Sequence, residues 1–459
     1  MKKLLPMMAT FLLAASACAQ TPTVTAAQAP AQPLSLQEAV RIALEKNPTL
    51  KAADAYAQAV QQGITAANSF RYPRVDFAEG FTRGNNPVYV FGTLLTQHQF
   101  TASNFALDFL NTPPPFDNFR TAFTATMPLY DAGQISRAVR EAKLQAQAAE
   151  KEKGRTGQEV VFQVIQAYLN ELLAKESLRV AQSAVDTTKS DLNRAQARQE
   201  SGLAVPSDLL SAQVQLAQAE EDLLRGQNTV ELAHAALNVA MGLEEDAPTA
   251  IEGNLTELSF SAGSLGERQS KALATRPDYL QSLLAKQQAD NGTHMARAEF
   301  LPKVNLFSSW EADNQTFTSR GGNNWAMGVT LNFNLFDGGA KTARLRESKA
   351  RELQAQALES QMASAVRLQV REAYLNLATA QKRLEVVKDA KAQAAESLRI
   401  LQNRYESGLA TIADLLSAET AKVNADKNAL NAIFDCRLSY AALELATGEL
   451  STDSPAVNQ

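Results

Sequence analysis

Apolar positions along this chain follow two periods that take turns. From Leu36 to Lys46 they recur at helical spacing, opened by Ser35 with Glu38 three residues on, a capping-box arrangement, and stopped by Asn47-Pro48. A second helix of roughly 20 residues then runs to Pro73, where the chain turns extended. There the period becomes two. A strand starting at Val75 is followed by Phe119, Thr121, Phe123, Ala125, Met127 and Leu129, which alternate with mostly polar or small residues. Residues 134 to 201 contain no Pro and only two Gly, and a helix of that length reaches about 100 Å. Such a helix needs neighbours along its side, and Leu178, Val185 and Leu192 recur at sevens, as a coiled-coil-like seam requires. The returning helix runs from Asp208 to Met241 and stops at Gly242.

Everything in that paragraph is then repeated. Glu200 to Ala212 and Glu406 to Ala418 share ten of thirteen residues at an offset of 206, and in each a Gly-poor helical pattern stops at Gly and restarts at Asp-Leu-Leu. That is a helical hairpin tip: Gly202 and Gly408 supply the left-handed residue that ends a helix, and Asp208 and Asp414 fall in the first turn of the returning one. Leu384 and Leu398 keep the seam in phase, and Gly448 ends the second returning helix, Asp414 to Ala446. Nearer the start of each copy the offset is 229, relating Pro48 to Pro277 and Pro73 to Pro302, so the first copy has 23 extra residues between Pro73 and Leu129. In the second copy a strand starts at Val304, and Trp325, Met327, Val329, Leu331, Phe333 and Leu335 alternate with Ala326, Gly328, Thr330, Asn332 and Asn334. The loops Gly84 to Asp117 and Asn314 to Asn324 carry turn formers.

The resulting organisation is a secretory signal over 1–19, a disordered leader over 20–34, and a first repeat over 35–242 with strands in 74–129 and a tip hairpin at 198–210. A crossover follows over 243–267, with a short strand expected at Leu255 to Phe260. The second repeat covers 268–448, with strands in 303–336 and a tip at 404–416, and a disordered tail covers 449–459. Met1-Lys2-Lys3 before the apolar run Leu4 to Ala15 marks export. Cleavage after Ala19 competes with lipidation of Cys18; Ala15 stands where a lipidation signal usually has Leu, which favours the first. Removal of Lys2 and Lys3 leaves 42 basic against 49 acidic residues, a net charge of −7 that gives no reason to expect nucleic acid. Cys436 would then be the sole cysteine, excluding an intrachain disulfide. His98, His234 and His294 share no metal-ligand spacing, and no phosphate loop, nucleophile elbow or clustered catalytic acids occur, so no enzyme and no cofactor is expected.

After the signal, no stretch approaches 18 apolar residues, so a membrane could be crossed only by strands. A spanning strand needs about 9 to 11 residues, which Trp325 to Leu335 supplies. Four strands cannot close, and an open edge in lipid leaves backbone amides unsatisfied, so the chain must share a barrel with copies of itself. Two chains would give about eight strands and three about twelve.

The duplicated long helices, the Pro-led hairpins, Leu129-Tyr130-Asp131-Ala132-Gly133 with its echo Leu335-Phe336-Asp337-Gly338-Gly339, and the tip pattern Arg-x-x-x-Gly-Leu-x-x-x-x-Asp-Leu resemble the outer-membrane efflux protein family, the TolC-like channels. The resemblance spans nearly all of Leu36 to Leu450. It implies an α+β membrane protein: a homotrimer whose four strands per chain make a twelve-stranded barrel continuing into a periplasmic tunnel of twelve helices. It also implies a periplasmic adaptor docked on the tips and an inner-membrane transporter below. Carried over by position, adaptor contact falls on Arg198, Gly202, Leu203, Arg404, Gly408 and Leu409, and the periplasmic gate and pore on Asp208, Tyr405 and Asp414. Two positions depart from the family: Ala410 stands where a gating arginine is expected, and Ser417 where a second pore acid is expected. The expected function is the exit duct of a tripartite efflux system in the outer membrane. A polypeptide-secretion channel is the alternative within the class, and a soluble periplasmic coiled-coil scaffold the alternative outside it. By position alone Asp208 and Asp414 serve equally as helix-start residues, and Arg198 and Arg404 as helix-end charges.

Overall fold

The computed structural model describes residues 33–317 and 321–458; the signal segment, Cys18 and the leader up to residue 32 lie outside the described residues. The first repeat comprises α1 (Leu36–Lys46), α2 (Pro48–Ser69), β1 (Arg74–Gly84), α3 (Pro87–Thr96), α4 (Leu107–Asn111), β2 (Phe116–Tyr130), α5 (Gln134–Glu200) and α6 (Pro206–Ala240). The second comprises α7 (Leu265–Thr275), α8 (Pro277–Ala298), β3 (Lys303–Asn314), β4 (Gly322–Asn332), α9 (Ala340–Glu406) and α10 (Ile412–Thr447). Both α5 and α9 are 67 residues long, about 100 Å of uninterrupted helix.

The helix boundaries have local causes. Ser35 Oγ accepts the Glu38 amide at the head of α1, and Asn47 Oδ1 accepts the Thr49 amide at the head of α2. The repeated Asp-Ala/Gly-Gly turn is a cap as well. Asp131 accepts the amides of Gly133 and Ile135, Asp337 those of Gly339 and Lys341, and Gly133 and Gly339 sit at φ of 79° and 89°. Each carboxylate therefore satisfies orphan donors where a strand turns into a 67-residue helix.

Helix α5 is the spine. It packs against α1, α2 and α6 of its own repeat and against α8 and α10 of the other, while α9 packs against α7, α8 and α10. Around the middle of α5 lies the main core, where Val160, Val164, Ile165 and Leu169 meet Val40, Leu237, Leu377 and Leu443. The two returning helices close onto the short ones in the same way. Asn47 donates to Ala240 O at 2.9 Å and Arg276 to Ala446 O at 3.1 Å, so different residues perform one task in the two copies.

Two expectations are corrected here. The tail is packed: Leu450, Ala456 and Val457 are buried in the main core, and the Ala456 amide donates to Glu444 Oε2 at 3.2 Å. Its Ser, Thr, Asp and Pro residues read locally as disorder, but three apolar anchors suffice when a helix face is waiting for them. Leu255 to Phe260 forms no strand. The one bridge in that region pairs Leu34 with Ile251 in parallel, closed by Leu34 N to Ala250 O at 2.7 Å and Glu252 N to Leu34 O at 2.9 Å. Leu255 is buried and Phe260 stacks on Tyr440 at 4.2 Å, so their apolar character reflects anchoring rather than strand pairing.

The strands form one antiparallel sheet in the order β1-β2-β3-β4. Its register aligns Phe77 with Phe123, Phe123 with Trp310 and Trp310 with Trp325. One face is therefore oily, carrying Val75, Phe81, Phe119, Leu306, Met327 and Val329 besides those aromatics. The other carries Arg120, Thr124, Ser309, Glu311, Asn324 and Thr330, with Arg120 and Glu311 paired at 2.5 Å. All helix-connected strand ends lie at one end of the sheet, and residues 85–115 cross at the other. Strand β4 stops at Asn332, before the expected Leu335. No described helix is long and apolar enough to cross a membrane.

Candidate functional site

The two tips are built alike. Each long helix ends in a Schellman turn: Gly202 N donates to Gln199 O and Leu203 N to Arg198 O, and Gly408 N donates to Tyr405 O and Leu409 N to Arg404 O. Gly202 and Gly408 take φ of 72° and 73° with open space where a Cβ would sit at Gly202. This geometry pushes Leu203 and Leu409 outward, 72% and 68% exposed. In the second tip Thr411 and Asp414 form a complete capping box, and the Thr411 hydroxyl and amide hold the Asp414 carboxyl below its usual range. Asp208 stands in the first turn of α6, half-buried.

The predicted residues do not all face outward. Arg198 reaches from the first tip to the second: its Nη1 donates to Tyr405 O at 2.6 Å and its guanidinium lies 4.8 Å above the Tyr405 ring. Tyr405 is 5% exposed and packs with Ile412 and Leu415, its hydroxyl buried without a partner among the described residues. Burial pushes its phenol above the ordinary value; Arg198 pulls it back and Asp208 adds to the rise. Arg198, Tyr405 and Asp208 are thus one electrostatic group joining both hairpins. Arg404 remains exposed, its Nη2 on Leu409 O at 3.4 Å.

Sequence reasoning missed the cluster one turn above. Asp191 of α5 is fully buried and pairs with Arg194, whose other arm reaches Glu406 at the end of α9 at 3.1 Å. Glu419 of α10 is 6% exposed beside Asp191. Burial first, and then the Asp191 carboxyl, push the Glu419 carboxyl well above the usual carboxylate range. Asp191 Oδ2 and Glu419 Oε1 both lack a donor among the described residues. A signal for this was present. Asp191 lies on the stripe Ala181, Val185, Thr188, Ala195, and at the 206 offset Asp191 and Glu419 match Ser397 and Gln213, so charge enters where the copies otherwise agree in being neutral.

Long paired helical hairpins joined to an open sheet with one oily face define a channel class of the outer envelope, helical on one side and stranded in the membrane. The chain belongs to the outer membrane efflux protein family, whose profile matches residues 39–243 and 269–449. It is an outer-membrane channel protein extending into the periplasm. It is 24% identical to outer membrane protein TolC of Vibrio cholerae, over 91% of each chain. It is also 24% identical to the alkaline protease secretion protein AprF of Pseudomonas aeruginosa, over 91% of this chain and 85% of that one. Its fold matches the Campylobacter jejuni CmeC outer membrane channel with a TM-score of 0.77 at 18% identity, covering 92% of this chain and 87% of the other.

Proposed function

We propose that this chain trimerises into a passive exit duct of an efflux assembly, taking substrate from a periplasmic adaptor and an inner-membrane transporter to the exterior. The observation that carries the oligomer is unfinished edges. Among the described residues, strands β1 and β4 each have one unpaired side, which lipid does not tolerate. The flanking helices repeat the message in water: Leu210, Val214, Leu224 and Leu232 on α6 and Leu353, Leu368, Leu375 and Val386 on α9 are each more than half exposed. A ring of copies covers both at once.

In this reading Leu203, Leu409, Arg404 and the glycine turns at Gly202 and Gly408 offer the adaptor surface, since they are exposed and apolar or cationic. Arg198, Tyr405 and Asp208 belong to the gate instead, and Asp414 contributes the acid of the pore mouth. Ala410 and Ser417 leave that gate with fewer ionic links. Deleting Arg404 to Leu409 is expected to abolish adaptor capture while leaving a membrane-inserted trimer. Planar-bilayer recording of the purified oligomer tests the duct: small long-lived openings, widened by Tyr405→Phe with Asp208→Ala, are expected. A water-soluble, non-conducting species would instead mean a periplasmic scaffold. Whether the cargo is a small molecule or a polypeptide is decided by the transporter, and cargo assays with the neighbouring adaptor and pump separate the two.

A further inference from the structure

The extra residues of the first copy do not hang in solvent. Residues 85–111 fold back as α3, a short 3-10 turn at Ala102–Phe105 and α4, and α3 lies on the polar face of the sheet at the end far from the helices. Its Val90 and Leu94 are buried, and Gln97, 2% exposed, donates to Asn118 Oδ1 at 2.8 Å and Asp117 O at 3.0 Å. Asn118 in turn donates to Asp313 Oδ1 at 2.7 Å, and Asn324 donates to Thr96 O at 3.0 Å. Asn118, Asp313 and Asn324 all project from the polar face; β2 and β4 hold the segment directly, and Asp313 of β3 braces Asn118 from behind. The approach is backbone to backbone. A Cβ on Gly322 would come 2.0 Å from Thr96 O, a clash that no side-chain rotation relieves. Tyr89 completes the anchorage, its hydroxyl donating to Thr82 O at 2.9 Å.

Composition agrees with a structural plug rather than a solvated loop. Asp108 is the only Asp, Glu, Lys or Arg in residues 85–111, and Phe91, Phe100 and Phe105 stack edge to face at 4.8 and 5.1 Å. An oily sheet face turned to lipid leaves the polar face turned to the water of the barrel. Whatever lies on that face occupies the lumen.

We propose that residues 85–111 form a fixed cap inside the outer mouth of the barrel, a second constriction that limits by size, without regard to charge, what passes at the outer surface. This rests on the duct reading above. Three caps, one per chain, narrow the exit independently of the tips, which lie a full helix length away. The indifference to charge follows from the near absence of ionised side chains on the cap, in contrast to the acidic mouth at Asp208 and Asp414.

Ser309 lies on the polar face four residues deeper than Asp313, about 13 Å further along the strand. With Ser309→Cys installed, intact cells are treated with maleimide reagents of graded size. Only buried Cys436 competes among the described residues. A small maleimide is expected to label the introduced thiol in every form. A bulky polymer-linked maleimide is expected to label it at least about tenfold more slowly than in a form whose residues 87–111 are replaced by a short turn. Gly322→Val with Asn324→Ala, which unseats the cap without deleting it, is expected to restore bulky labelling and serves if the shortened chain does not assemble. Equal bulky labelling of capped and uncapped trimers overturns the proposal, as does an outer-membrane trimer of the Ser309→Cys variant whose introduced thiol is unreachable by any reagent. A protein that never reaches the outer membrane as an oligomer overturns the duct reading instead.

Discussion

Among single residues, the most consequential are buried acids that face one another. Asp191, Glu419 and Arg194 place two carboxyls and one guanidinium between α5 and α10, just above the Arg198–Tyr405 contact. Because the folded chain raises the Glu419 carboxyl above its unfolded value, its contribution to stability is complete below the ordinary carboxylate range and is lost as pH climbs through the raised folded value. Glu419→Gln keeps the shape and removes the titration. The variant is expected to be more stable than the parent by about 1–2 kcal/mol at about pH 8 and indistinguishable at about pH 4, below the unfolded carboxyl's range, read by thermal unfolding. A parallel shift at both pH values would mean that the proton is not the cause. The difference between variant and parent is the proper observable, since Asp278 and Glu449, both held low, contribute slopes of the opposite sign.

Helix ends are the informative level among elements, because the same glycine does different work at different ends. Gly202 and Gly242 both adopt left-handed φ, of 72° and 74°. At Gly202 a Cβ would meet nothing within 4 Å, so Gly202→Ala is expected to cost only the left-handed strain, about 1–2 kcal/mol. At Gly242 it would come 2.6 Å from Asn47 Cα, so Gly242→Ala adds a backbone collision, on the order of 3 kcal/mol in total. Chemical denaturation of the two variants in detergent should rank them in that order; equal losses would show that the α1–α2 junction yields. Gly448 meets Arg276 Cα at 2.9 Å in the second repeat, and its alanine variant should behave like that of Gly242. The sequence placed all these glycines at helix ends. It could not say which ones lie against another backbone, because contact across 195 residues leaves no local mark.

At the scale of the whole molecule, the outer sides of β1 and β4 and the exposed apolar rows of α6 and α9 are left uncovered among the described residues. The apolar rows on α6 and α9 predict that a charge at either, such as Leu224→Glu or Leu375→Glu, will prevent trimer formation while leaving the protomer helical, as seen by gel mobility without heating beside circular dichroism. A trimer formed at parental yield would show that those rows face something else.

What the sequence determined by itself was everything with a short reach: the two periods, the cap at Ser35, the proline stops and the tip turns, each of them written twice. Each depends on residues within a turn or two of one another, so composition and spacing express them directly. Only the tertiary structure decided the rest. It set Arg198 against Tyr405, drew the tail into the core through Leu450 and Val457, set Asp191 against Glu419, and laid residues 85–111 on the polar face of the sheet. These are contacts between segments far apart in the chain, made because a buried donor, an apolar face or an unpaired carboxyl must find its partner wherever the fold brings one within reach.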